Sequence, residues 1–378
     1  MRVLHVIDSG GFYGAEAVLL DLMRAQKQLG IIPILASIGT PDIGRKPIEV
    51  RAIEAGLDVR PLRMKAGLNL TGARSLFRLA SVEKVDLLHS HGYKGNILLG
   101  LLPLWWRKVP LVTTLHGWTR TGKLNRMMLY EWLDSVSLKC VDHVVFVNQL
   151  MGDHPRLKNL SRLKTSAIDN GIDIQALAEK QKLAAPDQIT DFAGKRFTIV
   201  AVGRFSPEKG FSLLIDVVAE LVQNGCDLQL LLLGEGRLRS DFAQQAANLN
   251  LSDRVLMPGY VDNVPACLAI CQLFAMPSLT EGLPMALIEA MSAGIPIVAS
   301  RVGGIPDALQ GGECGRLISA GAREELLEAI CEAYRSLDEF SRLAESAKSR
   351  VEDKFSAATM AERYAQIYQS VQSREAAA

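Results

Sequence analysis

Short runs rich in branched aliphatic residues alternate along the chain with longer stretches in which apolar positions recur every three to four residues. Arg2–Ile7 reads as a strand, Gly14–Leu29 as a helix and Ile32–Ser37 as a second strand. Val59–Leu62, Asp86–Ser90, Leu111–Leu115 and His143–Val147 continue the strand series, with helical patterns between them. Several of these runs are apolar throughout, the pattern of strands covered on both faces. Strand and helix in alternation predict an α/β fold with a parallel, doubly wound sheet.

The pattern then restarts. Ala178–Lys195 is polar, contains Pro186 and reads as a linker. Beyond it, Phe197–Val202 is a strand, Gly210–Gln223 a helix, Leu228–Leu233 a strand and Glu235–Leu249 a helix, with further strands at Leu273–Met276 and Ile297–Ala299. The stretch from Leu337 to Ser370 is helical, with no strand left to cover. Two such sheets in tandem predict a cleft between two domains, with ligands at the carboxyl ends of the strands.

Composition adds one asymmetry. The 378 residues are 48% apolar, enough for two cores, and the net charge of +1 gives no bulk attraction for nucleic acid. Residues 1–190, however, hold 25 Lys and Arg against 17 Asp and Glu, whereas residues 191–378 hold 17 against 24. A basic first half suits anionic lipid or phosphorylated ligands. Asn96–Arg107 carries Ile97-Leu98-Leu99 and Trp105-Trp106 and then a cation, which suits either a membrane surface or a helix packed on the sheet. No secretory signal precedes the first strand, and no uncharged run is apolar enough to span a bilayer. Six scattered cysteines form no C-x-x-C pair. Cys267 and Cys271, one helical turn apart, read as buried small hydrophobes. A reduced, cytoplasmic location is expected, with a peripheral place at the inner face of the cell membrane as its extension.

The candidate chemistry gathers at strand ends. Gly10-Gly11 follows the first strand and lets backbone approach a ligand before a helix whose amides are exposed. The first strand of the second half ends in Gly203-Arg204, with Lys209-Gly210 shortly after. A guanidinium fork and an ammonium there can converge on a diphosphate. Glu281-Gly282-Leu283-Pro284-Met285 places a proline in the first turn of a helix and offers amides at its positive end to phosphate. Glu289 lies in an otherwise apolar run, so its carboxylate must be ion-paired or hold hydroxyls. His89 reads as a core histidine. His91 and His116 end strands, and Gly117 leaves room beside the His116 ring. No Asp-x-Asp, G-x-S-x-G, H-E-x-x-H or Walker A motif occurs, which lowers the readings those motifs carry, among them a metal-dependent sugar-nucleotide site.

Taken in order, Gly10-Gly11, His116-Gly117, Asn170-Gly171-Ile172-Asp173, Gly203-Arg204 with Lys209-Gly210, Gly234-Glu235-Gly236, Glu281 to Glu289 and Gly303-Gly304-Ile305-Pro306 span almost the whole chain. The set resembles the retaining glycosyltransferases of family 4 (glycosyl transferases group 1). The resemblance implies a GT-B fold of two Rossmann-like domains facing across a cleft. Residues 1–185 would form the acceptor-side domain, with a C-terminal helix of about 356–378 packing back on it. Residues 186–355 would form the nucleotide-sugar domain. It also implies that Arg204 and Lys209 bind the donor diphosphate, that Glu289 holds the ribose, and that Glu281 and His116 approach the transferred sugar. Gly10, Gly11, Gly234, Tyr260, Val261 and the segment Gly282, Leu283, Pro284 and Met285 would complete the donor site. Gly14, His91, Lys94 and Arg120 would lie on the acceptor side.

The implied reaction moves a hexosyl or N-acetylhexosaminyl unit from a nucleoside-diphosphate sugar to an acceptor hydroxyl with retention, without a metal or other cofactor. The leaving diphosphate would be stabilised by the two cations and the helix amides. The implied partners are the donor and a lipid-linked or saccharide acceptor in cell-envelope glycan synthesis, with an anionic membrane surface and without nucleic acid. A two-lobed sugar-binding protein and a sugar-nucleotide epimerase of similar fold are the competing readings.

Overall fold

The computed structural model describes residues 1–12, 14–65, 67, 69–101, 107, 109–116, 126–147 and 164–376. The chain divides into two compact units: Met1–Ile172 with Ala357–Ala378, and Asp173–Ser356.

The first unit is a parallel sheet of seven strands: β1 (Arg2–Ile7), β2 (Ile32–Gly39), β3 (Asp58–Arg63), β4 (Leu87–His91), β5 (Leu111–Leu115), β6 (His143–Phe146) and β7 (Thr165–Ala167). Their spatial order is β3-β2-β1-β4-β5-β6-β7. The order reverses between β1 and β4, which makes their carboxyl ends the ligand-binding edge of a doubly wound sheet. Apolar side chains cover both faces. Leu4, Val6, Ile34, Leu88 and Leu111 belong to one core; Ile7, Leu19, Met23 and Leu35 belong to another. The register sets His5 beside His89 and His91 beside Thr114. The C-terminal helix Ala357–Ala376 packs on the helix Gly14–Gln28 and buries Tyr364 and Tyr368.

The second unit has six parallel strands: β8 (Phe197–Val202), β9 (Leu228–Leu233), β10 (Val255–Gly259), β11 (Leu273–Met276), β12 (Ile297–Ser300) and β13 (Arg316–Ile318). The order β10-β9-β8-β11-β12-β13 reverses between β8 and β11. Phe205, Phe211 and Phe242 pack edge to face within its main core.

Three expectations are corrected, and a fourth, left open between two readings, is decided. Ala178–Lys195 is not a linker. Most of it forms the helices Ile174–Lys182 and Asp187–Ala193, which bury Leu177, Ile189 and Ala193 in the second unit, so the boundary falls at Asp173 rather than at 186. The long C-terminal helix is two helices, Leu337–Lys354 and Ala357–Ala376. The break at Phe355 hands the chain back to the first unit, where the Ala357 amide donates to the Ile172 carbonyl at 2.8 Å. Between the two readings of Asn96–Arg107, the structure takes the packed helix: within Tyr93–Gly100, Ile97, Leu98 and Leu99 are buried, and Arg107 is buried and paired to Asp142 at 2.9 Å. Trp105-Trp106 lies outside the described residues. Finally, the helix after Gly234 starts at Arg239 rather than at 235, because residues 235–238 are tied to the β8 loop instead: the Phe205 amide donates to the Glu235 carbonyl at 2.9 Å and the Leu238 amide to the Phe205 carbonyl at 3.2 Å. Cys267 and Cys271 are buried, and their thiols are pushed up by burial. No helix among the described residues is long and apolar enough to cross a membrane.

Candidate active site

In the second unit, three loops leave the carboxyl ends of β8, β9 and β11. The β8 loop carries Gly203, Arg204 and a short 3-10 turn at Pro207–Lys209. The Lys209 stem lies over Gly203, and its ammonium donates to Glu281 Oε1 at 2.6 Å. Ser278 Oγ donates to the same oxygen at 2.7 Å. Glu281 is 9% exposed and Lys209 19%, so the pair is shielded and rigid. This refines the sequence reading, which set Arg204 and Lys209 on the diphosphate and Glu281 separately on the sugar. The two side chains form one unit, with two of the ammonium hydrogens left to donate. Arg204 is exposed, and its guanidinium makes no hydrogen bond or ion pair with another described residue. Glu208, on the same turn, is held below its usual range first by the Ser206 hydroxyl and then by its own backbone amide and the Arg204 and Lys209 charges, so two cations and two carboxylates share this edge.

The β11 loop runs into the helix Met285–Ala293, with Pro284 at its N-cap rather than one residue inside. Gly282 is exposed, and a Cβ there would meet nothing within 4 Å. The N-terminus of this helix is therefore open to an anion. Gly303 locks the loop from behind. It holds φ +55°, and a Cβ would collide with the Glu281 carbonyl, while the Gly304 amide donates to Gly282 O at 2.7 Å. Glu289 lies on the half-exposed face of the helix, between the buried Ile288 and Ala290. On the β9 side, Gly234 has φ +135° and touches the Gly203 carbonyl, which brings the β8 and β9 loops together. Tyr260 follows β10 and is 71% exposed, leaving its ring face available for stacking; Val261 beside it is half-buried.

In the first unit, the β1 loop presents Gly10, exposed and with open space where a Cβ would go, and Gly11, whose amide donates to Ser9 Oγ at 3.3 Å. Gly14 begins the next helix and is exposed. Asp8 accepts from Lys46 Nζ at 3.0 Å and from Lys94 Nζ at 2.8 Å, which fixes Lys94 at this edge. Arg120 and Gly117 lie outside the described residues.

The histidines do what sequence reasoning did not foresee. His116 Nε2 lies 3.1 Å from His91 Nδ1, and His91 Nε2 lies 3.0 Å from His5 Nδ1. His5 Nε2 lies 2.8 Å from Gln26 Oε1, and Gln26 Nε2 donates to the Tyr368 hydroxyl at 3.1 Å. Tyr368 then meets His89 Nδ1 at 2.7 Å, and His89 Nε2 meets Thr114 Oγ1 at 2.7 Å. Burial holds all four imidazoles neutral, with His5 and His116 lowered to about 4 and His89 and His91 pushed well below the usual value. His5, His89 and His91 bring ring nitrogens within 4.8 Å of one another, close enough to suggest a metal cluster. All six of their ring nitrogens already have hydrogen-bond partners, so these residues serve one another instead. The available signal was a histidine in the apolar strand Arg2–Ile7 and a second pair at the i, i+2 spacing that shares one face of β4.

Two Rossmann-like units, each with a glycine-lined loop and a helix start at its switch-point edge, define a protein of the GT-B class. Residues 12–176 match the family described as Glycosyltransferase Family 4, and residues 185–350 match Glycosyl transferases group 1. The 2-deoxystreptamine glucosyltransferase of Streptomyces kanamyceticus is 32% identical over 83% of this chain and 88% of its own. The chain belongs to the group 1, family 4 glycosyltransferases. It is also 29% identical to the UDP-Gal:alpha-D-GlcNAc-diphosphoundecaprenol alpha-1,3-galactosyltransferase of Escherichia coli, over 61% of this chain and 61% of that relative's length. The crystal structure of Anabaena HepE in complex with UDP superposes with a TM-score of 0.81 at 21% identity, over 98% of this chain and 100% of that one, and supports the GT-B fold.

Proposed function

We propose that the protein is a retaining glycosyltransferase that moves a hexosyl or N-acetylhexosaminyl unit from a nucleoside-diphosphate sugar to an acceptor hydroxyl in cell-envelope glycan synthesis. The observation that carries the reading is the edge of the second unit. An exposed guanidinium at Arg204, an ammonium at Lys209 held by Glu281, and an open helix start at Gly282–Met285 lie there together. That set supplies positive potential where a leaving diphosphate gains charge. No side chain in it acts as an obvious nucleophile. Glu281 accepts from Lys209 and Ser278 on one oxygen, which suits binding and orientation rather than attack. Retention then follows from attack on the face that the diphosphate leaves, with the acceptor proton passing to a phosphate oxygen. Glu289, half-exposed one helical stretch from the open amides, suits ribose hydroxyls, and the exposed Tyr260 ring suits the base. The relatives named for lipid-linked and small-molecule acceptors support a saccharide or lipid-linked acceptor. The basic first unit supports contact with an anionic membrane surface.

Incubation with labelled nucleoside-diphosphate sugars and a lipid-diphosphate-linked sugar tests the proposal, with the anomeric configuration of the product read by NMR. Transfer with the donor's configuration kept is the expected result. An inverted product would overturn retention. Isomerised donor without transfer would establish the epimerase reading, and bound but unreacted donor the binding-protein reading.

A further inference from the structure

A neutral imidazole has one N–H and one lone pair, so a string of them hydrogen-bonded end to end must all point the same way. Whatever orders one end orders the other. In this chain one end is Gln26, on the helix Gly14–Gln28, and the other is His116, at the carboxyl end of β5. Gln26 Oε1 faces His5 Nε2, and an amide oxygen only accepts. His5 therefore carries its proton on Nε2 and offers its Nδ1 lone pair to His91 Nε2. His91 in turn offers its Nδ1 lone pair to His116 Nε2. His116 is left protonated on Nε2 and bare on Nδ1. That Nδ1 is buried and has no hydrogen-bond partner among the described residues.

We infer that the Gln26 carboxamide is a positioning group that sets the tautomer of His116 through His5 and His91, so that His116 Nδ1 presents a lone pair to a hydroxyl of the bound sugar. The inference rests on the proposed function for the identity of that hydroxyl, but not for the tautomer itself. The amide is oriented in turn by the C-terminal helix. Gln26 Nε2 donates to Tyr368, whose hydroxyl donates to His89 Nδ1, and His89 Nε2–H donates to Thr114 Oγ1, itself 2.8 Å from the Tyr364 hydroxyl. Rotating the Gln26 amide would reverse every proton in the string and leave His116 presenting an N–H, which repels a donor and attracts an acceptor instead. One amide thus chooses between the two hydrogen-bonding characters of a residue two imidazoles away.

Long-range ¹H–¹⁵N correlation spectra of the ¹⁵N-labelled full chain at neutral pH report which ring nitrogen carries the proton. His116 is assigned by the signal lost in His116→Gln. The expected result is His5, His91 and His116 all protonated on Nε2. Gln26→Leu removes the amide and should turn His116 into a mixture of tautomers. It should also lower kcat about tenfold while shifting the donor KM less than about threefold. Tyr364→Phe removes an equally buried hydroxyl at the far end of the network and should leave the His116 tautomer as in the wild type. A wild-type His116 protonated on Nδ1 overturns the inference, and so does a Gln26→Leu chain whose His116 tautomer is unchanged. Should Gln26→Leu fail to fold, the wild-type spectrum alone decides. Absence of transfer by the wild type would sink the proposed function while the tautomer measurement still stood.

Discussion

Acid should unfold the first unit before the second. All six histidines, at positions 5, 89, 91, 116, 143 and 154, fall within residues 1–172, and the second unit has none. His5 is fully buried, and desolvation lowers its pKa from 6.5 to about 4. The unfolded chain therefore takes up a proton near pH 6.5 that the folded unit refuses until about pH 4. A lowered folded pKa makes stability complete above 6.5 and loses it as pH falls towards 4. Between pH 7 and pH 5, His5 alone costs about 2 kcal/mol. His89, His91 and His116 are pushed in the same direction by the same burial, so the unit's loss exceeds that of one group. Set against roughly 5–15 kcal/mol for a whole domain, this is a large fraction. Tryptophan fluorescence isolates the event, because all four tryptophans also lie in the first unit, between positions 105 and 132. A urea titration read by fluorescence should show the midpoint falling by about 1 M or more from pH 7 to pH 5, for a slope of about 2 kcal/mol per molar. Hydrogen exchange in peptides from 173–356 should change much less. Equal midpoints at the two pH values, or earlier opening of the second unit, would refute the account of a cluster held neutral by burial.

Arg204→Ala should lower turnover on the order of 10²-fold without changing the melting temperature, because the guanidinium is exposed and makes no hydrogen bond or ion pair with another described residue; steady-state kinetics and calorimetry check both halves. Two glycines should separate packing from ligand approach. Gly303→Ala puts a methyl group against the Glu281 carbonyl at φ +55° and should cost about 1–3 kcal/mol, read as a lower melting temperature. Gly10→Ala meets nothing within 4 Å and should leave the melting temperature unchanged while weakening donor turnover. With no Asp-x-Asp in the chain and two cations at the diphosphate edge, turnover should survive EDTA; loss restored by manganese or magnesium would contradict the reading.

Calorimetry with the nucleoside diphosphate product separates the two glutamates. Glu289→Gln should weaken its binding about tenfold, since charge-assisted bonds to ribose hydroxyls are lost. Glu281→Gln should leave product affinity nearer to wild type and act on turnover instead, although its bond to Lys209 makes some loss at the diphosphate unavoidable.

The sequence alone determined most of the strand series, because strands buried on both faces are dense in branched aliphatic residues with only isolated polar positions. Leu111–Leu115, Phe197–Val202, Leu228–Leu233 and Leu273–Met276 begin and end where the apolar runs do. It also determined the glycine-marked loops, since a backbone that turns at positive φ or touches another backbone excludes a side chain, as Gly234 and Gly303 do. The edge strands β7, β10 and β13 escaped it. Two are only three residues long, and β10 ends in Pro258-Gly259, so neither length nor periodicity marks them. What only the tertiary structure decided is the pairing of side chains far apart in the chain. Lys209 and Glu281 become one shielded ion pair because β8 and β11 are neighbours at the switch point, a fact of strand order that no local pattern encodes. His5, Gln26, His91, His116 and Tyr368 come from β1, β4, the end of β5 and two helices, and Gln26 and Tyr368 alone are 342 residues apart. Local sequence sets what each residue can donate or accept, but only the register of β1, β4 and β5 and the return of the last helix bring those groups within 3.1 Å and so decide which atom of His116 is left to act.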